Sequence, residues 1–159
     1  MNNPIKTVEY KGKTINIYVD VHAESPREWD NLGSMCLFHN KYNLPNELNL
    51  SMEDTHKIAK NKKYITLPVY MIDHGSVALS TEPYSDPWDS GCLGIITVSR
   101  ERLISEGISV RRAKKALKSE VEVYSKYLNG EMYGFECEDV SGWGYYSIED
   151  AIEVAKENI

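Results

Sequence analysis

The sequence predicts an α+β fold: an antiparallel or mixed sheet with about four helices packed mainly on one side. Three observations predict it. Strand patterns come mostly first and helix patterns mostly later. Ile15, Ile17, Val19 and Val21 alternate with Asn16, Tyr18 and Asp20, the period of a half-buried strand. Ala113, Leu117, Val121, Tyr124 and Leu128 recur at helical spacing and make one apolar face. With 159 residues, no internal repeat and no low-complexity linker, the chain reads as a single domain over 1–159.

Each element has a local reason. Residues 7–10 and 14–21 predict a β-hairpin turned by Lys11-Gly12-Lys13. Residues 22–50 are irregular, broken by Ser25-Pro26, Asn43 and Pro45-Asn46. Within them Met35-Cys36-Leu37-Phe38 predicts a short buried turn of helix. Ser51 reads as an N-cap, with Asp54 three residues on, for a short helix to about residue 61. Residues 64–72 are rich in β-formers, but Pro68 has no N–H for a ladder, so an edge or a bulge is expected. Residues 77–80 predict a second short strand, and 81–91 a loop holding Pro83 and Pro87. Residues 92–98 are the most apolar strand and the expected centre of the sheet. Ser99 caps a short helix ending near Gly107, and Ser109 a longer one closed by Asn129-Gly130. Residues 132–137 predict a strand, and Ser141-Gly142-Trp143-Gly144 a turn. Ser147 caps the last helix, with Ile148, Ala151, Ile152, Ala155 and Ile159 facing inward.

Charge and cysteine usage bound the function. The net charge is −6, a sign that opposes direct nucleic-acid binding. Residues 120–159 hold ten acids and only Lys126 and Lys156, a net of −8, so the remainder is +2. Just before them stands a basic cluster, Arg111, Arg112, Lys114, Lys115 and Lys118. This pattern fits solvated surfaces, or an acidic face that imitates nucleic acid. No apolar run is long enough for a membrane helix, and the first residues lack the apolar core of a signal peptide, so the cytoplasm is expected and a membrane is not. Cys36, Cys92 and Cys137 are odd in number and widely spaced, which fits free, buried thiols in a reducing compartment. Cys36 and His39 are half a zinc site at most, and no second pair completes it.

All three tryptophans are bracketed by turn formers: Trp29-Asp30-Asn31-Leu32-Gly33, Trp88-Asp89-Ser90-Gly91 and Gly142-Trp143-Gly144. Such loops either plug onto the domain or converge on one polar concavity. The candidate binding cluster is therefore Trp29, Asp30, Trp88, Asp89, Ser90 and Trp143, joined by Asp73 and His74 from the end of the 64–72 strand. Asp20, Asp30, Asp73, Asp86 and Asp89 could serve a hard cation, but no contiguous D-x-D-x-D-G loop exists, and no metal or other cofactor is expected. Ser90, His74 and Asp89 or Asp73 have the residue types of a hydrolytic triad without its G-x-S-x-G elbow. No catalytic residue is assigned. Glu120 and Glu122 point apart on a helix, Glu120 toward a loop amide and Glu122 toward solvent. His22, His39 and His56 read as surface or loop-anchoring groups. Tyrosine is abundant, 11 against 2 Phe, and Tyr124, Tyr127, Tyr133, Tyr145 and Tyr146 form a candidate partner surface.

Residues 26–35, Asp73-His74, Trp88-Asp89-Ser90-Gly91 with Gly94, Glu120-Val121-Glu122, Tyr127-Leu128-Asn129-Gly130 and Trp143-Gly144-Tyr145-Tyr146 resemble a widespread family of small proteins from bacteriophages and mobile genetic elements of bacteria. The likeness runs from about residue 19 to 155 and departs from the family's Asp-His-Ser-Gly, since Gly75 precedes Ser76 here. It implies a setting rather than a mechanism: an accessory protein, more a binding protein than an enzyme, that acts in the host cytoplasm. Its expected partner is a host bacterial protein, such as a defence component. The alternative is a small metal- or nucleotide-binding protein, or a hydrolase, built on the Trp/Asp/His loops. The oligomeric state is left open.

Overall fold

Apolar alternation and helix caps are cashed in by eight strands and four α-helices among the described residues of a computed structural model, which are 3–73, 76–84 and 90–159. The first half of the chain holds β1 (Lys6–Tyr10), β2 (Lys13–Val19), β3 (Ser34–Leu37), α1 (Met52–Lys60), β4 (Tyr64–Asp73) and β5 (Val77–Ser80). The second half holds β6 (Ser90–Ser99), α2 (Arg100–Glu106), α3 (Val110–Leu128), β7 (Tyr133–Cys137), β8 (Val140–Tyr145) and α4 (Ile148–Glu157). These elements divide into one unit of residues 1–28 and 126–159 and a second of residues 29–125.

The first unit carries an antiparallel sheet ordered β1-β2-β7-β8. Lys11 and Gly12, at φ of 50° and 74°, make the two-residue turn of the first hairpin. The predicted alternation then puts Ile15 and Ile17 on one face, where both are fully buried with Phe135 and Cys137. Over that face lies α4, capped by the Ser147 hydroxyl, which accepts from the Asp150 N–H at 3.0 Å. Ala151 and Ala155 let the helix axis come close, and the half-buried Ile148, Ile152 and Ile159 fill the flanks. Residues 141–144, expected to turn, instead lie in β8. Gly142 answers to packing, and Gly144 to a bulge, rather than to a turn. A Cβ at Gly142 would stand 2.7 Å from the Phe135 ring, and Gly144, at φ 85°, is the extra residue of a bulge between Tyr145 and Trp143.

The second unit carries an antiparallel sheet ordered β3-β6-β4-β5. β6 is an inner strand, as its composition predicts, and Ile95, Ile96, Thr97 and Val98 are all buried in succession. Pro68 lies opposite Ile95, one residue before a bulge at Val69/Tyr70, and β5 pairs only from Tyr70 onward. The missing N–H of Pro68 thus falls where β4 has one neighbour. The segment 35–38, expected as a helical turn, supplies β3. A four-residue apolar run carries no period of its own, and here it is claimed by β6 on one side and by residues 45–47 on the other. Leu37 N–H donates to the Pro45 carbonyl at 2.9 Å, and Glu47 N–H to the Met35 carbonyl at 2.8 Å. The helices start on their predicted caps: Ser51 for α1, Ser99 for α2 and Ser109 for α3. Gly107, at φ 67°, closes α2 in the left-handed region.

The class is α+β with four α-helices, as expected. The strands form two antiparallel sheets rather than one, because the N-terminal hairpin takes its neighbour from the far end of the chain, Ile17 opposite Phe135.

Candidate functional site

The loop that carries Trp29 is fixed from both polarities. Glu120, half-buried on α3, accepts from the Leu32 N–H at 3.1 Å and from the Gly33 N–H at 3.1 Å. Arg102, on α2, donates through Nη1 to the carbonyls of Leu32 at 2.8 Å and Asn31 at 3.3 Å. Its Nε is held by Glu106 at 2.6 Å. A carboxylate therefore satisfies the loop's amides while a guanidinium satisfies its carbonyls, both as charge-assisted bonds. Asn31 closes the loop on itself, donating to the Trp29 carbonyl at 3.0 Å. Gly33 is there for space. A Cβ on it would overlap the Leu117 side chain and stand 2.8 Å from Ile96 Cγ1, so only glycine lets the loop reach α3. On this rigid mount Trp29 is 45% exposed, and Asp30 is exposed beside it.

Asp73, at the end of β4, accepts from the Tyr42 hydroxyl at 2.8 Å and faces the Lys41 ammonium at 3.7 Å. His39 anchors the same segment. Its Nδ1 accepts from the backbone N–H of Lys41 at 2.9 Å and of Tyr42 at 3.2 Å, and its ring lies 4.9 Å from that of Tyr42. Asp73 is thus occupied in ordering residues 39–42. His74, Trp88 and Asp89 lie outside the described residues, as does the side chain of Ser90, whose backbone opens β6 opposite Ile72.

Trp143 belongs to the other unit. It stands opposite Gly134, which also faces Tyr18 across β2. The glycine leaves a gap that the Trp143 ring fills, 6.1 Å from the Tyr18 ring. This is an aromatic covering a strand glycine, and 47% of Trp143 remains exposed.

The tyrosine surface needs one correction. Tyr124 is 6% exposed, because it falls three residues after Val121 on the apolar stripe of α3, and it is a core residue. Tyr127, Tyr133, Tyr145 and Tyr146 are half-buried. Tyr133 and Tyr145 pack on the core beneath α4, and Tyr145 stacks on Phe135 at 6.0 Å. Burial pushes the Tyr146 hydroxyl up from its ordinary range.

Cysteine chemistry also divides. Cys36 and Cys137 are buried, whereas Cys92 is exposed, since alternation along β6 turns it away from the side that buries Leu93. Burial raises the Cys36 thiol; a backbone hydrogen bond from Leu48 pulls it down, and the Glu47 carboxylate pushes it up. Cys92 lies on an apolar cleft of about 270 Å3 beside Pro68 and Ile95. A second concavity, of about 260 Å3, is lined by Lys60, Lys62, Arg100 and Lys114. Of these only Lys114 stood out in the sequence, as part of a charge run. Lys60 and Lys62 come from one segment and Arg100 from another, and no spacing rule links the two.

Among the described residues no group of three or more His, Cys, Asp or Glu side chains could hold a metal ion, and no helix is long and apolar enough to cross a membrane. No family model, curated protein or solved structure matches the chain.

Proposed function

We propose that this chain is a binding protein that docks on a partner protein through Trp29. One observation carries the reading: a large aromatic side chain, 45% exposed, stands on a loop whose backbone is bonded on both sides by Glu120 and Arg102. Rigid exposed tryptophans are the residues on which interfaces concentrate their energy, and a loop already ordered loses little further entropy on docking. The sequence resemblance to phage and mobile-element proteins supports a bacterial host protein as the partner, a defence component among the candidates, and the host cytoplasm as the place.

The test is affinity capture from bacterial lysate, uninfected and phage-infected, with the intact protein beside Trp29→Ala. A partner held by the parent and weakened in the variant by about 30-fold or more is the expected result, from a hot-spot cost of about 2 kcal/mol. Equal capture by both proteins would remove Trp29 from the interface, and no specific capture in either lysate would remove the reading.

A further inference from the structure

The geometry points to the basic concavity of the second unit as a binding site for the phosphate group of a small molecule. Its cations converge from three places in the sequence: Lys60 and Lys62 at the end of α1 and in the loop that follows, Arg100 at the start of α2 and Lys114 in the first half of α3. No carboxylate lines it. Five cations elsewhere have a carboxylate partner: Lys13 with Glu138, Lys41 with Asp73, Lys57 with Glu53 and Asp54, Arg102 with Glu106, and Lys118 with Glu82. Among the described residues none of the four cations of the concavity has such a partner. The four cations lie outside residues 120–159, the stretch that holds the chain's net negative charge.

The arrangement is also pre-set. Arg100 Nε donates to the Lys62 carbonyl at 2.6 Å, and the Arg100 backbone N–H to the Lys63 carbonyl at 2.9 Å. The guanidinium is thereby tied at one nitrogen while its two Nη groups keep their donors for a ligand. Guanidinium forks match phosphate oxygens, and ammonium groups add charge around them. Neutral donors complete the set. Asn61, whose Oδ1 accepts from the Lys63 N–H at 2.9 Å, and Tyr64 also line the wall, and both side chains carry neutral donors. The C-terminal end of α1 offsets part of the repulsion at Lys60 but not at Lys114. The volume, about 260 Å3, is below the roughly 300–1,000 Å3 of sites for whole drug-sized molecules, so it suits a phosphate or diphosphate head group.

Isothermal titration with inorganic pyrophosphate at low ionic strength tests the assignment on the full chain. The result expected is one site per chain, weakening as salt rises. The triple variant Lys60→Gln/Lys62→Gln/Lys114→Gln and the single variant Arg100→Gln should each lose at least tenfold in affinity. All four positions are exposed, so folding is unaffected, which far-UV circular dichroism checks. The matched variant Arg111→Gln/Arg112→Gln/Lys115→Gln removes three charges outside the concavity and should stay within twofold. No binding at millimolar pyrophosphate would overturn the site. So would an equal loss in the matched variant, which would show a diffuse field, or tighter binding of a single-stranded oligonucleotide than of pyrophosphate, which would make the surface a polyanion track.

Discussion

Removing the Glu120 carboxylate should unfasten the Trp29 loop, and the cost can be worked from its bonds. Two backbone N–H groups, of Leu32 and Gly33, give their hydrogens to it at 3.1 Å each. A hydrogen bond to a charged group contributes about 1.5–3 kcal/mol net. Glu120 is half-buried, so water can replace part of what is lost and the low end applies. Glu120→Ala should therefore cost about 2–3 kcal/mol in all. In a chain of this size that lowers Tm by about 5–10 °C. Glu120→Gln keeps one acceptor oxygen and turns an NH2 toward the other amide, so it should cost about 1–2 kcal/mol. The control is Glu122→Ala, two residues on and exposed, where a change within about 0.5 kcal/mol is expected. Thermal melts and urea titrations of the four proteins measure this series. If Glu120→Ala melts within a degree of the parent, the loop is held by something other than this carboxylate. If Glu122→Ala falls as far, the effect belongs to helix charge and not to the two amides.

Four further outcomes follow from the packing and the thiols. Gly33→Ala places a methyl group into the fully buried Leu117 and Ile96 side chains and should destabilise by about 1–3 kcal/mol; an unchanged urea midpoint would mean the loop can lift away from α3 at no cost. Trp143→Ala uncovers Gly134 and removes the ring against Tyr18, which should cost about 1–2 kcal/mol and diminish the near-UV dichroism, while a parent-like near-UV spectrum would deny the contact. A thiol reagent should label Cys92 rapidly in the native protein and Cys36 and Cys137 only on unfolding; two or more fast thiols would contradict the burial. Because burial raises Cys36 from 9.0, the folded state favours the neutral thiol, so that contribution to stability is whole below about pH 9 and is lost as pH rises through the folded value. A native protein whose stability climbs from pH 8.5 to 10 would reverse that sign.

Local chemistry was readable where one residue decides one feature. Ser51, Ser99, Ser109 and Ser147 each announce a helix start, and each hydroxyl accepts from the N–H three residues on. Glu120 bonding a loop amide, with Glu122 in solvent, follows from their angular separation on a helix. What failed was inference from glycine and tryptophan in company. In 141–144 the glycines looked like turn formers, yet Gly142 sits opposite the Phe135 ring and Gly144 is the extra residue of a bulge, and a partner strand is invisible from within the segment. The apolar run 35–38 was ambiguous for the same reason, since only β6 and residues 45–47 decide that it is extended. The candidate site shows both sides of this. Glu120 declared itself by helix geometry, whereas Arg102 binds carbonyls of residues about 70 positions away, and nothing in its neighbourhood signals that.

The pairing of β2 with β7 has a consequence for synthesis on the ribosome. Ile17 waits for Phe135, so the first hairpin is made more than a hundred residues before the strand that completes its sheet. Alone, a two-stranded hairpin is marginal in water. Residues 29–125, by contrast, are contiguous and can close before the chain ends. The contiguous unit can therefore close while β7 is still unmade, whereas the sheet of the first hairpin cannot. Until then Ile15 and Ile17 are an apolar strand face without a cover, and that interval is when the nascent chain is most prone to aggregate or to be held by a chaperone.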